Sequence, residues 1–252
     1  MKRIFFLLGL SLMVGCQAQE LSQAVPEVLA TYPHDPEAFT QGLLLTDGHF
    51  FESTGLYGES SLREVVPETG EVLREVELSP ELFAEGLTLV DDRLIQITWR
   101  AGVALVYNAD TFEQTATFDY KGQGWGLCYD GKELVMSDGS ATLTRRDPET
   151  FAPLETVEVK LNGEPVEMLN ELECVGDSVY ANIWQTDTIV KIAEDGRVTQ
   201  EIDASNLLAA EERAQLDPNA VLNGIAYDPE AEAFYLTGKL WPKLFAVRFT
   251  DE

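Results

Sequence analysis

Short apolar runs alternate with polar turns along nearly the whole chain, and the alternation itself repeats. Five segments share one pattern: Phe39-Thr40-Gln41-Gly42-Leu43, Phe83-Ala84-Glu85-Gly86-Leu87, Gly124-Trp125-Gly126-Leu127, Leu169-Asn170-Glu171-Leu172 and Leu222-Asn223-Gly224-Ile225. Each leads into an apolar run, a polar turn and a second strand-like run. The turns are Asp47-Gly48, Asp91-Asp92, Asp130-Gly131 and Gly176-Asp177 in the first four repeats and Asp228–Ala233, two residues longer, in the fifth. Gly bends the chain by accepting positive φ, and Asp by bonding to nearby backbone. The pattern predicts a β-hairpin at the head of every repeat.

A second hairpin follows, turning at Val65–Gly70, Asn108–Thr111, Asp147–Thr150 and Glu194–Gly196. Each repeat is therefore four antiparallel strands. From Gly42 the repeat positions Gly86, Gly126, Glu171 and Gly224 follow at spacings of 44, 40, 45 and 53 residues, the period of a propeller blade. The longest spacing contains Asp203–Leu216, predicted as a short helix with Asp203 or Ser205 as N-cap and Pro218 beyond its end. The fifth repeat stops after Leu244–Phe249, one strand short. Glu27–Tyr32, ahead of the first repeat, is predicted to supply that strand and close the ring, which hides a sheet edge. The predicted fold is all-β: a five-bladed β-propeller with a short helical insertion before the last blade, formed as a single domain by residues 25–252.

Composition changes the picture mainly at the N-terminus. The 252 residues are 45% hydrophobic, as in a folded globule. Lys2 and Arg3 precede an apolar run from Ile4 to Val14, too short to span a bilayer. Met13-Val14-Gly15-Cys16 reads as a bacterial lipobox, with Met13 where Leu is usual. Residues 1–15 are thus predicted to be a lipoprotein-type signal, Cys16 the lipidated residue and 16–24 a tether. The expected location is the cell envelope, as an exported lipoprotein held on a membrane surface. The net charge of −27 becomes more negative once the two leader cations are removed, and excludes a nucleic-acid partner. Cys128 and Cys174 lie outside any zinc-ligand spacing. Export permits a disulfide between them, but the sequence leaves the pairing open.

The repeats also locate a site. The residues just before the repeat position are Gln41, Glu85, Trp125, Asn170 and Asn223, expected in a ring around one mouth of the channel. Thirteen residues after the repeat position, where the second strand returns to that mouth, stand Gly55, Trp99, Gly139 and Trp184. The longer turn of the fifth repeat moves the equivalent position to Lys239. One carboxylate, one amine, several carboxamides and three indoles are expected to converge, as in a lined pocket with a few polar groups. His34 and His49 are read as structural or turn residues, being too few and too isolated for a metal site.

These residues carry a resemblance. Tyr32–Leu43, Phe83–Leu87, Gly124–Leu127, Asn170–Glu173, Asn182–Asp187 and Leu222–Tyr227 resemble the motifs of plant- and bacterial-type glutaminyl-peptide cyclotransferases, over roughly residues 26–249. The resemblance implies a five-bladed propeller that closes an N-terminal glutamine into pyroglutamate with release of ammonia. It implies Glu85 as the catalytic carboxylate and Phe39, Gln41, Phe83, Trp99, Trp125, Asn170, Trp184 and Lys239 as pocket residues. Ala84, where Gly is frequent, and the two cysteines depart from the pattern without touching these roles.

One carboxylate can take the proton from the attacking amine and give it to the leaving nitrogen, and the indoles would raise the pKa of Glu85 toward the working range. Lys239, or a carboxamide of Asn170 or Gln41, is the expected oxyanion donor. Trp99, Trp125 and Trp184 would orient the substrate, for which Phe39, Gln41 and Phe83 complete the binding surface. This scheme calls for no metal and no cofactor. The expected partners are peptides or proteins with N-terminal Gln, and the protein is expected to be a monomer. The alternatives are a non-catalytic peptide-binding propeller and a metal-dependent propeller hydrolase, the latter wanting more carboxylates around the channel.

Overall fold

The computed structural model of the protein describes residues 21–251. The expected leader and Cys16 lie outside the described residues, as does most of the expected tether. The remainder is all-β. Three four-stranded antiparallel sheets are formed by Thr40–Glu77, Ala84–Asp119 and Leu127–Glu158, each in the meander order of the chain. A fourth sheet has eight strands. It holds the meander Leu169–Asp203 and the meander Leu222–Asp251, joined through the N-terminal strand Ser22–Pro33. The chain thus forms five four-stranded units, first to fifth in chain order, the N-terminal strand completing the fifth.

The N-terminal strand pairs antiparallel with the last strand, from Ala24 opposite Asp251 to Pro33 opposite Lys243. Its start also pairs parallel with the fourth unit, Ser22–Ala24 against Gln200–Ile202. It is longer than the predicted Glu27–Tyr32 and enters the stretch 16–24 that was expected to be a tether. The physical reason is Ala24, which is buried in the apolar cluster between the fourth and fifth units.

The apolar residues separate into five clusters, each shared by two neighbouring units. Successive residues of a strand point to opposite faces, so adjacent side chains enter different clusters. Leu44 packs toward the second unit and Leu43 toward the fifth. Leu94 joins Leu44 and Phe51, while Ile95 joins Leu127 and Met136. Both faces of each inner hairpin are covered, which is why the runs read as continuous rather than alternating. The cluster of Leu43 and Phe50 with Ala226 and Leu244 joins the last unit to the first. The first strands of the units also touch in cyclic order, ending with Leu222–Asp228 against Thr40–Thr46.

The repeat glycines permit that ring. A Cβ on Gly42 would lie 2.6 Å from the Leu87 nitrogen, and one on Gly86 2.4 Å from the Leu127 nitrogen. In the fourth unit Glu171 replaces Gly. Its buried carboxylate reaches across to accept from Leu43 N at 3.2 Å and Ile225 N at 2.9 Å, tying the fourth, fifth and first units together.

The predicted helix is corrected. Only Ala210–Arg213 is helical, its N-cap is Ala209, and no side chain caps it. Asp203 instead ends a strand, its Oδ1 accepting from Ser205 N at 2.9 Å. Leu207 and Leu208 are buried against the fifth unit and hold the start of the segment in turns. Cys128 and Cys174 form a disulfide between the first strands of the third and fourth units.

Candidate active site

In four of the five units the residue before the repeat position owes its direction to a break in pairing. The antiparallel register slips between Thr40 and Gly42, Ala84 and Leu87, Leu169 and Leu172, and Leu222 and Ile225. A bulge bends the strand and re-aims the side chain at that point. Gln41, Glu85, Asn170 and Asn223 all stand there. The returning strands are aligned by one shared hydrogen bond. Gly55 N, Trp99 N, Trp184 N and Lys239 N donate to the carbonyls of Phe39, Phe83, Met168 and Val221. Lys239 therefore occupies the position equivalent to Trp99 and Trp184.

These elements bring nine sequence-selected residues into one cavity of about 300 Å³: Phe39, Gln41, Phe83, Glu85, Trp99, Trp125, Asn170, Trp184 and Lys239. Its walls are aromatic. Phe83 meets Trp99 edge to face at 5.6 Å between centroids, and Trp125 meets Trp184 at 5.4 Å. The two glycines that stand where Trp99 and Trp184 stand in other units make room for these walls. A Cβ on Gly55 would lie 2.5 Å from the Phe83 ring, and one on Gly139 2.6 Å from the Trp125 ring.

Glu85, Lys239, Asn170 and Gln41 bring polar groups to this apolar lining. Glu85 is buried and makes no hydrogen bond to any described group; burial pushes its carboxyl well above the usual carboxylate range, and the charge of Lys239 opposes the rise only in part. Lys239 is also buried. Burial brings its ammonium down to about 8, against the attraction of Glu85 and Glu171. Its Nζ donates to the Thr40 carbonyl at 3.1 Å and to Gln41 Oε1, and sits 4.8 Å from the centre of the Phe39 ring. An ammonium has three donors, so one remains for a ligand. Asn170 presents a buried Oδ1 without a partner, an arrangement that favours an incoming N–H donor.

Asn223 does not line the cavity. It is fully buried and its Nδ2 donates to the Thr40 carbonyl at 3.0 Å, the same oxygen that holds Lys239. His34 belongs to a buried charge network behind the site. Its Nε2 faces Glu52 at 3.0 Å, Arg63 reaches Glu52 and Asp35, each at 2.8 Å, and Thr40 Oγ1 donates to Glu52 at 2.6 Å. His49 pairs with Glu64 near the surface.

The residues match the family model described as "Glutamine cyclotransferase" over positions 4–249. The chain belongs to the glutamine cyclotransferase family. A glutaminyl-peptide cyclotransferase of Arabidopsis thaliana is 42% identical over 225 residues, covering 88% of this chain and 70% of the relative. The crystal structure of Myxococcus xanthus glutaminyl cyclase superposes with a TM-score of 0.87 at 42% identity, covering 92% of this chain and 100% of that one. The RRP9 WD40 repeats, at 8% identity, share the fold alone, with a TM-score of 0.51 over 88% of this chain and 100% of theirs.

In this cyclotransferase-family chain two lining residues escaped the sequence reading, Leu56 and Asn219. Leu56 follows Gly55, one step beyond the position marked by the repeats, and holds a φ of 89°. That step was the available signal. Asn219 lies in the insertion before the fifth unit, where no repeat equivalence exists to find it.

Proposed function

We propose that the cavity binds an N-terminal glutamine and that Glu85 moves the proton that lets it cyclise. The protein is a glutaminyl-peptide cyclotransferase, and the reaction is an intramolecular aminoacyl transfer. The α-amine nitrogen bonds to the side-chain amide carbon. The bond from that carbon to the amide nitrogen breaks, and the nitrogen leaves as ammonia.

The observation that carries the role of Glu85 is its burial beside Lys239 among aromatic walls, with its carboxyl raised. A free α-ammonium has a pKa near 8, about four units above an ordinary Glu. Raising the carboxyl narrows that gap, so the proton passes from amine to Glu85 and on to the leaving nitrogen with little penalty. The third N–H of Lys239 stabilises the tetrahedral oxyanion, and Gln41 holds Lys239 in place. Asn170 Oδ1 accepts from the substrate amine. Trp99, Trp125 and Trp184, with Phe39 and Phe83, fold the glutamine side chain against its own amine and exclude competing water.

The architecture supporting this chemistry is read as a five-bladed propeller whose last blade is preceded by a short helical insertion. The cyclic contacts of the five units and the likeness to WD40 repeats support it. The leader is read as that of an exported lipoprotein anchored through Cys16, acting as a monomer on peptides or proteins with N-terminal Gln.

The test is ammonia release from a short peptide with N-terminal Gln. Glu85→Gln is expected to lose about 10²- to 10⁴-fold in kcat. Near wild-type release by this variant would remove Glu85 from the chemistry. No release above the spontaneous rate by the wild-type chain would favour a peptide-binding module.

A further inference from the structure

Two walls of the cavity, Trp99 and Trp125, come from different units, and their indole N–H groups converge on one atom. Trp99 Nε1 donates to Gln123 Oε1 at 2.6 Å, and Trp125 Nε1 donates to the same oxygen at 3.4 Å. An indole nitrogen only donates. The carboxamide of Gln123 must therefore turn its oxygen toward both rings, which fixes its orientation. These are the only side-chain hydrogen bonds of the two indoles among the described residues. The loop carrying Gln123 is itself tied to the second unit, because Gly124 N donates to the Trp99 carbonyl at 3.0 Å.

Packing fixes where each ring lies. Trp99 meets the edge of Phe83 on one side and the Arg100 guanidinium at 3.7 Å on its face, while Trp125 meets Trp184. Both indoles remain partly exposed at the rim, so core packing does not enclose them on every side. Gln123 is exposed and does not line the cavity, so neither core packing nor direct contact with the reacting atoms accounts for it.

We propose that Gln123 is a positioning residue for the cyclisation, locking the Trp99 and Trp125 rings across the seam between two units. The kinetic part of this inference rests on the cyclotransferase reading; the lock itself does not. Wall rings held in one orientation keep the flexible glutamine side chain in its attacking geometry, so their loosening falls mainly on kcat rather than on binding.

The experiment compares Gln123→Leu, which keeps the bulk and removes the acceptor, with Gln123→Glu, which keeps an acceptor oxygen. Both are assayed on an N-terminal Gln peptide well below their unfolding temperatures. Gln123→Leu is expected to lower kcat roughly tenfold with KM within about threefold, and Gln123→Glu to retain most of kcat. Acrylamide quenching of tryptophan emission is expected to rise in Gln123→Leu and to stay near wild type in Gln123→Glu. Wild-type kcat in Gln123→Leu, or equal losses in both variants, would overturn the proposal. If the wild-type chain turns over no such peptide, the cyclotransferase reading fails and the quenching arm decides alone: unchanged quenching in Gln123→Leu sinks the lock.

Discussion

Gly126 lies so close to Asn170 that a Cβ added to it would stand 2.0 Å from the Asn170 carbonyl oxygen. The same oxygen accepts from Ser137 Oγ at 2.6 Å. This contact closes the third unit onto the fourth at the level of the cavity, and it sets the backbone from which the Asn170 side chain projects. Gly126→Ala has no soft neighbour to displace. It is expected to cost at least about 2 kcal/mol, through backbone displacement of the kind that overpacking causes. Urea denaturation reads the loss of stability. At temperatures where the variant stays folded, kcat/KM for an N-terminal Gln peptide should also fall. An unchanged midpoint would mean that the seam relaxes freely.

Lys239 gives the pH profile its alkaline side. Its ammonium, brought down to about 8 by burial, is needed charged for oxyanion stabilisation. Activity is therefore expected to fall as pH rises through about 8. On the acid side it falls as pH drops below the raised pKa of Glu85, which then cannot accept a proton. Lys239→Met should lose the alkaline limb together with roughly 10²-fold or more of kcat. An alkaline limb that survives in this variant would assign it to the substrate amine instead.

Glu52 is the buried centre of the network behind the site, bonded to His34, Thr40 and Arg63. Despite burial, the charges of His34 and then Arg63, with the hydrogen bonds from His34 and Thr40, hold its carboxyl below the usual range. Its contribution to stability is thus present above an unfolded pKa of about 4.3 and is lost as pH falls through the lower folded value. His34 has the opposite sign. Burial opposes its charge, but Glu52 outweighs burial and raises the pKa, so its contribution is full below about 6.5 and is lost as pH rises through the raised value. Glu52→Gln removes the buried counter-charge of His34 and leaves Arg63 only the partly exposed Asp35, and is expected to cost about 3–5 kcal/mol near neutral pH. Chemical denaturation at several pH values checks both the size and the two limbs.

The Cys128–Cys174 bond closes a loop of 46 residues between the first strands of neighbouring units. Removing it by Cys128→Ala with Cys174→Ala is expected to lower stability by about 3–4 kcal/mol on the loop-entropy scale. Neither sulfur lines the cavity, so kcat/KM of the folded variant should match wild type. A change in activity without a change in stability would contradict this account.

How much was legible in the sequence follows from the kind of interaction involved. Turns, apolar runs and repeat spacing are local in the chain, and they determined the hairpins, the all-β class and the position of Glu85, Trp125 and Asn170 within their repeats. The longer turn Asp228–Ala233 was enough to align Lys239 with Trp99. The family motifs named the same cavity residues.

What depends on contacts between distant segments was decided by the tertiary structure. Asn223 matched the pattern of the ring but turns its amide to the Thr40 carbonyl instead of the cavity. The helix shrank to Ala210–Arg213 because burying Leu207 and Leu208 outweighed the local capping signal at Asp203. Cys128 and Cys174 paired because two first strands lie side by side. The raised pKa of Glu85 and the lowered one of Lys239 come from desolvation by residues from several units. A linear pattern records which residue types are present at which spacing. Burial and charge proximity arise only when the units close on one another.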